Sequence, residues 1–139
     1  MKNILLCLAL LLPCLARAEG VFSGLWITPQ EPGWGLSIHH DKDIMFVTLL
    51  VYNEQGLAQW YVAPNVRRFW SIADEDVGFA GDLYVTTGPL LSNERFDPSR
   101  VAMRRVGEID VSVMYGVDGG VHYTIDGKDV WRPIQPLRW

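Results

Sequence analysis

Beyond residue 18 the chain has no cysteine, since Cys7 and Cys14 both lie near its start. The remainder therefore has neither a disulfide nor a thiolate nucleophile, and packing alone must hold it together. It also lacks an apolar run of the roughly twenty residues that a membrane-spanning helix needs. The leading run, Ile4 to Leu15, is shorter. It follows Lys2 and precedes Ala16-Arg17-Ala18, the arrangement of a secretory signal peptide over residues 1–18 with cleavage before Glu19. Pro13 stands where a lipid-attachment site on Cys14 would carry a small residue, so simple cleavage is favoured. The expected location is the periplasm or the outside of the cell.

A basic excess is missing as well. Twelve Lys and Arg face sixteen Asp and Glu, and loss of Lys2 and Arg17 with the leader leaves ten against sixteen, a formal charge of −6. Nucleic acid is thereby excluded as an expected partner. Residues 19–139 suit one domain with one core.

No window of helical length carries an i, i+3, i+4 apolar stripe. Short alternating or apolar runs recur instead, separated by turn residues. Eight strands are predicted: Val21 to Thr28, Trp34 to His40, Ile44 to Asn53, Leu57 to Ala63, Gly78 to Thr87, Arg104 to Tyr115, Gly120 to Asp126 and Lys128 to Ile134. The links "HDKD", "NEQG", "DGG" and "DG" supply the Gly, Asn and Asp of tight hairpins, so consecutive strands should pair antiparallel. The expected fold is all-β, an eight-stranded antiparallel meander closed into a barrel, with a β-sandwich as the alternative.

Three stretches depart from this rhythm. "IMFVTLLVY" is largely apolar on both alternating sets, which implies a strand covered on both faces, the second by a long loop or by a second subunit in a homodimer. "PNVRRFWSIADEDV" (64–77) and "GPLLSNERFDPSR" (88–100) read as long connections, where binding sites on β scaffolds concentrate. The plainer reading of the first is a solvated loop whose aromatics plug a barrel end.

The segment "GLWITPQEPGWG" (24–35) packs two tryptophans, two prolines and three glycines into a strand–corner–strand unit, because proline cannot donate to a ladder and glycine permits close approach. Gly24-Leu25-Trp26 resembles the first-strand Gly-x-Trp of lipocalin and avidin barrels, the calycin-type architecture. That resemblance implies that Trp26 closes one end against a basic side chain, Arg132 or Arg138. Together with "YNEQGLAQWY", "FAGDLYVTTGP" and "YTIDG", the segment also resembles a group of secreted bacterial β domains that brings a fold and no activity with it. Trp26, Trp60 and Tyr61 read as core or end-closing residues, whereas Trp34 sits where a rim residue would.

No catalytic residue is assigned. Serines at 23, 37, 71, 92, 99 and 112 lack a nucleophile motif. Asp41 with Asp43, and Glu108 with Asp110, are carboxylate pairs at i, i+2 that could serve glycosidic chemistry only if another carboxylate stood opposite. A solvated face or hairpin turn is the favoured explanation. No metal site is assigned, because adjacent His39 and His40 point to opposite faces of a strand and His122 is remote in sequence. There is no phosphate-binding glycine loop, and no cofactor is expected. The terminal "WRPIQPLRW" ends on an aromatic as membrane barrels do, but Pro133 and Pro136 argue against a membrane strand.

Three functional readings follow. The first is a non-enzymatic binding barrel for a small apolar or glycan-like ligand, contacted at the open end by Trp34, Arg67, Arg68 and Trp70. The second is a periplasmic inhibitor or immunity-type protein that engages a protein partner through residues 64–77. The third is an enzyme using Glu108 and Asp110 or the histidines.

Overall fold

Alternation decides the architecture. In the computed structural model, which describes residues 22–72, 76–92, 95–114 and 117–138, eight strands form a closed antiparallel barrel in strict meander order. They are β1 (Gly24–Ile27), β2 (Gly35–Asp41), β3 (Ile44–Tyr52), β4 (Ala58–Ile72), β5 (Asp76–Thr87), β6 (Ala102–Met114), β7 (Asp118–Ile125) and β8 (Lys128–Pro136). The expected signal peptide and cleavage site and both cysteines lie outside the described residues, as do Tyr115 and Trp139.

Each strand sends every second side chain inward. Leu36 and Ile38 of β2, Met45, Val47 and Leu49 of β3, Val77, Phe79 and Leu83 of β5, and Ile109, Val111 and Val113 of β6 are buried together in one core. The outer walls of β5 and β6 carry ion pairs, Arg105 to Asp82 at 2.6 Å and to Glu108 at 2.7 Å. The apolar, side-chain-filled interior differs from the polar lumen of a lipid-spanning barrel. No helix among the described residues is long and apolar enough to cross a membrane.

The short hairpins have the predicted turn chemistry. Asp126 and Gly127, with φ of 47° and 84°, both occupy the left-handed region between β7 and β8, and Gly56 (74°) does so between β3 and β4. The connection expected over 64–77 is not a loop. β4 runs on through Pro64 to Ile72, and β5 already begins at Asp76. The register between β4 and β5 slips between Val62 and Arg67, so Pro64 falls in a bulge, where its missing N–H interrupts no regular ladder. Gly81 makes the bulge feasible: a Cβ there would stand 2.8 Å from the Asn65 carbonyl oxygen and 2.9 Å from Val66 Cα. The 88–100 connection stands as expected, with a single 3₁₀ turn at Pro98–Arg100 capped by the Asp97 carboxylate.

No loop of this chain covers the outer face of β3 among the described residues. Phe46 (43 % exposed) and Leu50 (42 %) face solvent, as does Trp60 (58 %) opposite Leu50 on β4, and nothing within the described chain covers them. Neighbouring residues of one strand therefore differ sharply in environment. Leu49→Ala is expected to cost about 2–5 kcal/mol of unfolding free energy and Leu50→Ala less than about 1 kcal/mol, measured by urea denaturation of both variants. Equal losses would mean that the outer face is covered in solution.

Candidate functional site

The meander places alternate connections at opposite ends of the barrel. One end carries the β2–β3 and β4–β5 turns and the chain's entry to β1; the other carries the 28–34 corner and the β3–β4, β5–β6 and β7–β8 connections. The two ends are built differently.

The first end is shut. Phe22, just before β1, packs its ring 4.9 Å from that of His40 and 6.1 Å from that of Phe79, and its carbonyl accepts a hydrogen bond from Trp26 Nε1 at 2.9 Å. Arg68 lies 5.7 Å above the Phe79 ring and pairs with Asp43 at 3.1 Å. Trp26 is buried against this plug, and its polar partner is a backbone carbonyl. Arg132, offered above as its cationic neighbour, pairs with Glu31 at 2.8 Å.

The second end is recessed. Inward-facing Val51, Tyr61, Val85, Tyr123 and Ile125, with Trp34 at the corner, are only half-buried although they pack against the fully buried core below. A cavity of about 490 Å³ opens over Val51, Tyr61, Tyr123 and Ile125, with Tyr52, Asn53 and Lys128 on its rim. Burial pushes the phenols of Tyr61 and Tyr123 above their ordinary value, so both remain protonated hydrogen-bonding groups at neutral pH. Charges at the rim are paired: Lys128 with Glu54, and Arg104 with Asp126 through two contacts of 2.6 and 3.0 Å. An apolar floor, two phenols and a neutralised rim suit an uncharged, mostly apolar guest.

The residues expected to make the site are not gathered there. Trp34 stands at the recessed end. Arg67 pairs with Ile44 beside the β2–β3 turn at the shut end, six residues of β2 away, or about 20 Å. Arg68 belongs to the closure just described. Trp70 lies on the outer wall over Gly78, where an added Cβ would meet its Nε1 at 2.0 Å. The cavity residues Tyr61 and Tyr123 were not singled out as ligand contacts; the alternation of "VHYTID" puts Tyr123 on the inner face, but only the strand register puts it at the open end.

The candidate catalytic and metal groups are dispersed. Glu108 and Asp110 stand on the convex outside of β6, one held by Arg105 and the other 3.4 Å from His122. His39 faces solvent on β2, His40 is buried in the shut end, and His122 is on the outer face of β7 between Asp110 and Asp129. Among the described residues no three His, Cys, Asp or Glu side chains are grouped to hold a metal ion. Comparison of the chain with protein-family models, with curated proteins and with solved structures gave no match.

The two partnered histidines respond oppositely to pH. Burial, above all, lowers the pKa of His40, with Arg68 adding to the effect; the Lys42 carbonyl at 2.7 Å and the nearby Asp41 and Asp43 oppose it. Its folded value lies below the unfolded one, so its contribution to stability is complete above the ordinary value of 6.5 and is lost as pH falls through it. The Asp129 and Asp110 carboxylates raise the pKa of His122, whose contribution is complete below 6.5 and is lost as pH rises through the raised value. Denaturation midpoints measured across this range should fall less on acidification for His40→Phe than for the parent, and less on alkalinisation for His122→Gln. Parallel profiles for parent and variants would remove both assignments.

Proposed function

We propose that this chain is an exported, non-enzymatic binding barrel that holds a small, largely apolar and uncharged molecule in its recessed end. The observation that carries the reading is the change in burial along the inner face. Side chains are fully packed from the Phe22 plug up to Leu49 and Leu83, whereas Val51, Tyr61, Tyr123 and Ile125 are left half-covered around a 490 Å³ recess. A barrel filled to the brim would have no such ring. The phenol oxygens supply orientation, and the apolar wall supplies affinity through area removed from water. In this reading the Gly-x-Trp corner is calycin-like, the leader directs the chain out of the cytoplasm, and Trp34 supports the rim. Arg67, Arg68 and Trp70 lie away from the ligand.

The test uses the neutral fluorophore N-phenyl-1-naphthylamine. The expected result is saturable one-to-one binding that Val51→Trp, which fills the recess, weakens at least about tenfold, or 1.4 kcal/mol. The variant's thermal unfolding midpoint verifies that the fold is intact. Unsaturable uptake, or uptake unchanged in Val51→Trp, would overturn the assignment.

A further inference from the structure

The outer wall of the barrel carries a second concavity, independent of the recessed end. Ladder pairing aligns Trp70, Gly78, Ser112 and Gly120 across β4, β5, β6 and β7. Three small residues in a row leave a shallow floor between two indoles. Trp70 rests over Gly78. Trp131 of β8 lies over Gly120, where an added Cβ would meet its Nε1 at 3.4 Å. Gly78 and Gly120 are two strand spacings apart, so the indoles are separated by about 10 Å. The groove between them holds about 160 Å³, close to the size of a single sugar ring, and Trp131 is 60 % exposed.

One end of the groove is polar. His122, paired with Trp131 in the ladder, turns one ring nitrogen to the Asp129 carboxylate at 2.6 Å and the other to the Asp110 carboxylate at 3.4 Å, and in its protonated form donates to both. Both carboxylates retain oxygen lone pairs, and the Ser112 hydroxyl lies on the floor beside them. Aromatic faces carry negative charge density that attracts the weakly positive C–H face of a ring, while a mixed set of acceptors and donors matches vicinal hydroxyls. A cationic guest fits less well, because the imidazole already occupies the two acids.

We propose that this groove is a glycan-binding subsite that takes one neutral pyranose unit, its C–H face against Trp131 and Trp70 and its hydroxyls toward Asp110, His122 and Ser112. The floor is the specific device: glycine at 78 is what lets the half-buried Trp70 indole settle against the sheet, and glycine at 120 keeps the floor low beside Ser112 and Trp131.

The experiment titrates the full mature chain with cellohexaose, maltohexaose and N-acetylchitohexaose, following tryptophan fluorescence and backbone amide shifts. The expected result is saturable, millimolar binding of at least one hexaose, with shifts at Ser112, Gly120 and His122. Trp131→Ala should weaken it at least about tenfold. Gly78→Ala, which displaces Trp70 without deleting it, should weaken it as well. Val51→Trp, which blocks the recess at the barrel end, should leave it unchanged, so that failure of this site and failure of the end site are read separately. No saturable response to any of the three sugars, a response undiminished in Trp131→Ala, or displacement by tetramethylammonium would overturn the proposal.

Discussion

An eight-stranded barrel encloses a space just wide enough for side chains to fill, and the rest of this structure depends on how that space is occupied. Phe79, Leu36, Met45, Leu49, Leu83 and Ile109 are fully buried within it, so the lumen is a core and offers no passage. Filling is unequal along the axis. Phe22, Trp26, His40 and Phe79 close one end with rings, and at the other the inner face ends in the half-buried Val51, Tyr61, Tyr123 and Ile125 around an open recess. The recess begins where the packing stops.

Closure at this radius also demands sharp bending, and the sequence supplies it through glycines at backbone crossings. Gly81 lies under the Asn65–Val66 bulge, and Gly107 approaches the Thr124 carbonyl so closely that a Cβ would come within 2.0 Å of its oxygen. The Gly81 contact accounts for the difference over 64–77, which the sequence presents as a long connection. Pro64 occupies a bulge that lets β4 continue for eight more residues. Strand order, turn positions and inner-face residues were legible because period-two alternation and left-handed turn residues act locally. The candidate sites were not. Tyr61 meets Tyr123, and Trp70 meets Trp131, only through the register and stagger of strands distant in sequence, which alternation leaves undetermined. Likewise "IMFVTLLVY" announces an apolar outer face on β3 without stating what lies against it.

Electrostatics divides along the same wall. Inside, His40 is a polar group accommodated at a cost in hydration, with one ring nitrogen bonded to the Lys42 carbonyl and the other, Nδ1, buried without a hydrogen-bond partner. Outside, His122 is the middle of a three-residue chain that links β6, β7 and β8. The same side chain serves as a ring in an aromatic plug and as a cross-strand tie, and the difference lies wholly in which face of its strand it occupies.

Finally, the barrel is closed by very little. β1 meets β8 through only two registered pairs, Trp26 with Pro136 and Ile27 with Gln135, supplemented by the Leu137 amide bonding the Leu25 carbonyl at 2.7 Å and the Thr28 hydroxyl bonding the Pro133 carbonyl. Every other neighbouring pair of strands shares a longer ladder. Amide protons along this seam should exchange with solvent long before those of β5 and β6, because a local opening there breaks few bonds. The line along which the sheet parts most easily is therefore the one that joins its first strand to its last.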